Sequence, residues 1–285
     1  MKCTAMTLLG CCLLAITMTA QPSFTRADVE AMLGDGAIYS YTAIDVEGST
    51  FPIGSGSSGR VFDLTGFTTE METHQRSYVD PATTDFPHEF PDATHAQIIA
   101  GEGTGEAFMY YRLDDNGLFL LGYATIMEGA DYIMKYQPER PSMKFPYQVG
   151  TQWTYSSGTM IPFEGMERRE EAQVEVIASG TLRLPQGEFA CICTRDWERT
   201  FTRIVFGGEV ISEMYSTFVS YDLLTKEGIS ASITIDTLDE NSATPRLVDL
   251  RWSIPETVTS ASQFPPTPDV TLDAPYPNPC LLYTS

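Results

Sequence analysis

Two histidines and two carboxylates fall within one short segment, and these residue types bind transition metals. His88, Glu89, Asp92 and His95 offer the imidazole and carboxylate ligands that zinc takes in proteins. Their spacing differs from the His-Glu-x-x-His pattern, and Pro91 interrupts any helix that would align them. We therefore predict an exposed acidic loop with no metal and no cofactor, and keep these four residues as the candidates if a metal does bind.

Hydrolytic chemistry would need a nucleophile or a pair of carboxylates. The chain contains no Gly-x-Ser-x-Gly elbow. Acidic runs occur at Glu167–Glu171 and Asp236–Asn241, and both are expected to be solvated turns, with Ca²⁺ binding as an alternative for the second. The catalytic residues are therefore unknown. A secreted hydrolase of glycans or peptides, using carboxylates or the His88–His95 segment, remains an alternative function.

Aromatic residues recur at every second position in two predicted strands. Tyr39 and Tyr41 lie on one strand, and Trp153 and Tyr155 lie on another. Because side chains alternate between the two faces of a strand, each pair shares a face. These residues either pack in the core or form a ligand-facing surface for a lipid, a glycan or an apolar peptide.

Two cysteines also share a strand face. Cys191 and Cys193 are two residues apart, a spacing on a strand that does not favour a disulfide between them. We expect both to be buried as small apolar side chains, with a redox or metal pair as the alternative.

The elements that position these residues are mostly strands. A helix is predicted over 25–33, where Thr25 and Asp28 form a capping box. Turn signals at Asp115-Asn116-Gly117, Pro185-Gln186-Gly187 and Gly207-Gly208 predict three hairpins. Long loops are expected at 48–59 and 80–104. Further strands are predicted at 37–46, 60–67, 151–156, 172–178, 229–236 and 246–252.

This pattern predicts a mainly β fold, either an antiparallel sandwich or a curved, clam-like sheet or half-barrel, with one short N-terminal helix. The segments 145–155 and 184–189 are similar to parts of uncharacterised secreted β-proteins with an open, clam-like sheet. That resemblance implies a concave apolar face and no particular chemistry.

The composition is that of a strongly acidic globular protein. The chain has 285 residues, 42% of them hydrophobic, and a net charge of −21. Such a surface repels polyphosphate and anionic lipid, so we predict no nucleic-acid partner. We expect a single β-rich domain over 21–254.

The N-terminus has the pattern of a secretory signal peptide. A single Lys2 precedes an apolar stretch that ends in small residues, and cleavage is predicted between Ala20 and Gln21. A lipoprotein box ending at Cys11 is the alternative. We predict no transmembrane span in the mature protein.

The C-terminal segment carries a sorting signature. A Pro/Ser/Thr-rich linker over 255–275 leads to Tyr276, Pro277, Asn278 and Pro279. This motif after such a linker resembles the opening of the C-terminal sorting domain of type IX secretion cargo, which implies secretion or display on the cell surface of a Gram-negative bacterium. Cys280 departs from the family's aromatic residue. The segment 280–285 resembles translated sequencing-adapter sequence and is expected not to be native. We therefore expect 276–285 to be the start of a truncated sorting domain followed by this non-native tail.

The leading functional hypothesis is a secreted, non-enzymatic surface or ligand-binding protein whose partner is the secretion machinery and whose ligand is a lipid, glycan or peptide. Besides the hydrolase, the alternative is a periplasmic carrier of an apolar ligand, which applies if the sorting interpretation fails.

Overall fold

A computed structural model describes residues 22–100, 106–127, 130–160 and 165–256. The first half of this range contains one helix, α1 (Arg26–Met32), and eight strands: β1 (Ser23–Phe24), β2 (Ile38–Ile44), β3 (Arg60–Asp63), β4 (Glu70–Val79), β5 (His95–Ala100), β6 (Glu106–Asp114), β7 (Gly117–Met127) and β8 (Ala130–Lys144). The second half contains seven strands: β9 (Tyr147–Gln148), β10 (Gln152–Met160), β11 (Met166–Leu184), β12 (Gly187–Phe206), β13 (Glu209–Thr225), β14 (Ser230–Ile235) and β15 (Leu247–Pro255).

Twelve of these strands form one antiparallel sheet that closes on itself. The order around the ring is β10-β8-β7-β6-β5-β4-β2-β15-β14-β13-β12-β11, and β11 pairs again with β10. The strand β3 pairs in parallel with β11 over Gly180–Arg183, farther along the edge of β11 that also pairs with β10. The predicted mainly β, antiparallel fold with one short helix is confirmed, and the curvature of the sheet continues to full closure.

The shortest backbone pairing in the ring lies between β8 and β10. Only Gly158–Met160 pair with β8 through the backbone. Farther along this seam, side chains replace the backbone ladder: Ser157 Oγ donates to the Pro138 carbonyl at 2.8 Å, and Trp153 Nε1 donates to the Pro141 carbonyl at 3.2 Å. Because proline has no N–H to donate, it is tolerated along a strand edge that has no backbone partner.

One end of the ring is closed by an apolar plug. Helix α1 begins at the predicted capping box, in which Thr25 and Asp28 bond reciprocally, and it buries Val29 and Met32. The small sheet of β1 and β9 packs beside it. Residues from both sides of the ring join this cluster: Leu113, Leu118, Trp153, Val174, Val176 and Ile192.

Two long segments cover the outer face of the sheet. Residues 46–64 place Phe51, Phe62 and Leu64 against the outward side chains of β11–β15 and β2. Residues 86–93 place Phe86 and Phe90 against β5–β7. The larger apolar core therefore lies against the outer face of the sheet. Because that core already buries the apolar side chains, the inner face can carry polar ones.

Besides the two-residue strands β1 and β9, three strands were not predicted from the sequence. Strand β5 lies inside the expected 80–104 loop, so that loop prediction is wrong over His95–Ala100. The strand β4 has polar residues on both faces and therefore lacks the usual alternation. The strand β8 contains Pro138 and Pro141, which count against a strand in a sequence.

Within the described residues, no helix is both long enough and apolar enough to cross a membrane.

Candidate functional site

The interior of the ring, beyond the plug, holds a chamber of about 670 Å³. A second cavity of about 310 Å³ shares four of its lining residues, Arg140, Asp196, Asp222 and Ser232. The walls come from strands on all sides of the ring. A volume of this order is typical of sites for small organic molecules.

Strand alternation explains why the chamber is polar. On β12, Cys191 and Cys193 face the outer core, while Thr194 and Asp196 face the chamber. On β14, Ala231, Ile233 and Ile235 face outward, and the serines and threonines between them face inward. The polar face of the 229–236 strand, which in sequence looks like a solvated surface, therefore lines an internal cavity.

Arg140 on β8 is the centre of a charged network on one wall. Its Nη2 lies 2.8 Å from Glu198 Oε2, and its Nη1 lies 3.4 Å from Glu170 Oε2. Glu170 has no exposed side-chain surface, and its second oxygen lies 2.9 Å from Arg168 Nη2. Tyr155 donates to Glu198 at 3.2 Å. Burial raises the pKa of Glu170, although Arg140 and Arg168 oppose this shift.

Two further carboxyl groups stand beside this network. Asp196 on β12 pairs with Ser220 on β13, and Asp222 pairs with Thr194, so the two aspartates are diagonal neighbours with their Cβ atoms about 7 Å apart. Burial, followed by Asp222 and Glu198, raises the pKa of Asp196 to about 7, against the opposing effect of Arg140. Burial also raises the pKa of Asp222, against a hydrogen bond from Ser232.

The charges on this wall do not balance. Four carboxyl groups face two guanidinium groups when all are ionised. The acids are Glu170, Glu198, Asp196 and Asp222, and the bases are Arg140 and Arg168. Asp196 Oδ1 is buried and has no hydrogen-bond partner among the described residues. The excess of negative charge in a poorly solvated site is costly, and protonation of one aspartate reduces that cost.

The opposite wall is cationic and aromatic. The Arg76 guanidinium lies 3.5 Å from the centroid of the Tyr41 ring, and Arg251 Nη1 donates to the Tyr41 hydroxyl at 3.0 Å. His74 stacks on the same ring with the two centroids 6.5 Å apart. Within the described part of the chain, Arg76 makes no salt bridge.

The predicted ligand-facing aromatics all lie on the inner side of the ring. Tyr41, Trp153 and Tyr155 line the chamber. Tyr39 lies instead at the plug, where its hydroxyl donates to the Met32 carbonyl at 2.6 Å and its ring packs edge-on against Tyr78. Whether the first three contact a ligand remains a prediction.

The four candidate metal ligands have different surroundings in the structure. Glu89 forms an ion pair with Lys135 at 2.8 Å, and with Asp92 it lines a separate outer cleft of about 560 Å³. His95 begins β5, and its Nδ1 lies 2.9 Å from Thr94 Oγ1. His88 is exposed. In the described ranges, no three His, Cys, Asp or Glu side chains gather as a metal site.

The remaining sequence expectations have mixed outcomes. Cys191 and Cys193 are free and buried, as predicted. The expected turn at Glu167–Glu171 is wrong, because these residues belong to β11 and Glu170 faces the interior. The predicted turn near 236 is confirmed as a short 3-10 helix over Thr237–Asp239.

The proposed export signals lie outside the described residues. These are the cleavage site at Ala20 and Gln21 and the motif Tyr276, Pro277, Asn278 and Pro279.

Comparison with known proteins finds no matching family model, no matching curated protein and no matching solved structure. The class of the molecule therefore comes from its own geometry: a closed antiparallel sheet with an apolar outer core and a charged interior chamber.

Sequence reasoning missed the charged residues of the chamber, Arg76, Arg140, Glu170, Asp196, Glu198 and Asp222. One available signal was the position of Asp222 and Asp196 within strands whose outward residues are apolar. A charge inside such a strand marks either solvent or an enclosed polar site, and the sequence does not distinguish the two.

Proposed function

We propose that this protein is a secreted, non-enzymatic ligand-binding protein that holds a small molecule inside the closed sheet. The observation that carries the proposal is the chamber of about 670 Å³, whose charged and aromatic walls face one space. Binding sites for small molecules combine apolar surface with a few convergent polar groups, and this chamber has both.

The charged wall argues against an acyl chain as the ligand. A lipid tail in the chamber would lie against Arg140, Asp196 and Asp222 and would deprive them of water. The apolar surface suited to a tail is already occupied by the plug, where Val29 and Met32 fill the end of the ring. A compact polar molecule with an aromatic or alkyl part fits the walls better.

The export part of the proposal is supported by the sequence alone. The signal-peptide pattern and the resemblance at Tyr276–Pro279 support secretion, or display on a Gram-negative cell surface, with the secretion machinery as partner.

Ligand binding can be tested by filling part of the chamber with a bulky side chain. Ser230 lines it, so Ser230→Trp should fill part of the space, whereas Ser212→Trp adds the same bulk at an exposed position on β13. Native mass spectrometry of protein purified from its own host, followed by a thermal-shift screen of small molecules, should find a ligand for the parent and for Ser212→Trp only. Equal binding by both variants, or no ligand for any of the three proteins, would refute the proposal.

One observation favours a hydrolase as the second candidate. The pKa of Asp196 is raised to about 7, so part of this carboxyl population still carries a proton near neutral pH, as a general acid requires. A panel of aryl glycosides tests this function, since Asp196→Asn should abolish any turnover. Absence of turnover by the parent protein would exclude glycoside hydrolysis of these substrates.

A further inference from the structure

We propose that the ligand of the chamber is an organic amine with an aromatic or alkyl body, whose ammonium group lies between Asp196 and Asp222 and takes the place of a proton there. This inference rests on the proposed function, because it assigns a chemical class to the molecule that the chamber holds.

The first argument comes from the salt bridges of the four carboxylates on this wall. Glu198 and Glu170 are held by Arg140, and Arg168 also contacts Glu170. Asp196 and Asp222 appear in no salt bridge with a described residue. The negative charge that remains is therefore concentrated on these two side chains.

The second argument is the unpartnered oxygen. Asp196 Oδ1 is buried and accepts no hydrogen bond from any described residue. Asp222 has Ser232 as its hydroxyl partner from β14. A buried carboxylate oxygen without a donor is costly, and an ammonium group supplies both the missing donors and the compensating charge.

The third argument is the row of side chains that faces these acids. The cross-strand register aligns Trp153 on β10 with Val174 on β11, and Val174 with Asp196 on β12. Val174 thus lies one strand spacing from the carboxylate and the Trp153 indole lies two, along one row. A ligand with its amine at Asp196 would place an attached ring or chain against this apolar surface.

Proton displacement follows from the groups around Asp196. Arg140 faces it from β8, Tyr155 from β10, Glu170 from β11, Glu198 from β12 and Asp222 from β13. An ammonium ligand favours ionised Asp196, so its binding should strengthen as the pH rises through the range in which Asp196 titrates. Below that range, binding should release a proton to the buffer.

The experiment compares three molecules of similar shape by calorimetry: 2-phenylethylamine, the neutral 2-phenylethanol and the anionic 3-phenylpropionate. We expect the amine to bind at least about tenfold more tightly than the alcohol. Titrations near pH 6 in two buffers with different ionisation enthalpies should reveal proton release with the amine alone. Asp196→Asn should remove this release and most of the preference, while Glu188→Gln, which neutralises an exposed carboxylate, should leave both unchanged.

The outcomes separate the inference from the proposed function. Equal or weaker binding of the amine, binding without proton release, or an unchanged preference in Asp196→Asn would overturn the inference. The proposed function would survive that result if Ser230→Trp still blocked binding of the alcohol, of the carboxylate or of a ligand carried from the native host. If no molecule of any class bound, both would fail.

Discussion

Replacing Asp196 with asparagine should stabilise the protein at neutral and alkaline pH, and this advantage should shrink steadily as the pH falls toward the ordinary aspartate pKa of 3.8. The pKa of Asp196 rises from the ordinary 3.8 to about 7, first because of burial and then because of Asp222 and Glu198. In the folded protein this carboxyl group therefore retains its proton over a range in which the unfolded chain has lost it.

The sign and size follow from proton linkage. A group with a raised folded pKa stabilises the folded state below its unfolded pKa, and this contribution is lost as the pH rises through the folded value. A rise from 3.8 to about 7 corresponds to at most about 4 kcal/mol. Because Asp196 lines a chamber that water can enter, we expect about 2 kcal/mol of relative stabilisation in Asp196→Asn above about pH 8.

The assay is urea unfolding of the parent and Asp196→Asn at several values between about pH 4.5 and about pH 8.5. The control is Asp28→Asn, because Lys226 and the cap at Thr25 lower the pKa of Asp28 to about 2. The contribution of Asp28 is present above the unfolded pKa and is lost only in stronger acid, so its difference from the parent should be flat in this range. A flat difference for Asp196→Asn as well would refute the assignment of a proton to this side chain.

Three further predictions concern packing. Gly122→Ala should destabilise the protein by about 2 kcal/mol or more, because the added Cβ would lie 2.2 Å from a carbonyl oxygen of β8; Gly66→Ala, with open space, is the control for thermal unfolding. Trp153→Ala should cost about 3–5 kcal/mol in urea unfolding, since the buried indole also bonds across the seam, and a loss below about 1 kcal/mol would contradict this packing. Cys191 and Cys193 should resist iodoacetamide in the folded protein and react after unfolding, because burial raises both thiol pKa values; mass spectrometry of the labelled peptides checks this, and rapid labelling of either thiol before unfolding would be the contrary result.

Local rules predicted the elements whose signals lie within a few residues. The capping box at Thr25 and Asp28 begins α1 as expected. The turn at Asp115-Asn116-Gly117 joins β6 to β7 as expected. Gly117 has a positive φ there, a backbone conformation that glycine adopts more readily than other residues. The alternation over 229–236 correctly identified β14 and the residues that share each face.

Local rules failed where the environment of a strand is unusual. Strand β4 faces the charged interior on one side and is largely exposed on the other, so neither face is apolar. Strand β8 carries prolines at a seam that side chains of β10 complete. Neither environment can be inferred from the residues of the strand alone, because each depends on strands far away in the chain.

The sequence by itself determined which side chains share a face, where the hairpins turn and that the fold is mainly β. Only the tertiary structure decided which face is inside. Alternation of polar and apolar residues is the same whether the polar face meets bulk water or an enclosed chamber. Closure of β10 onto β11 encloses that face, and it brings Arg140, Glu170, Asp196 and Asp222 together from strands that are separated by up to 82 residues. The site therefore arises from long-range pairing, which short-range patterns do not encode.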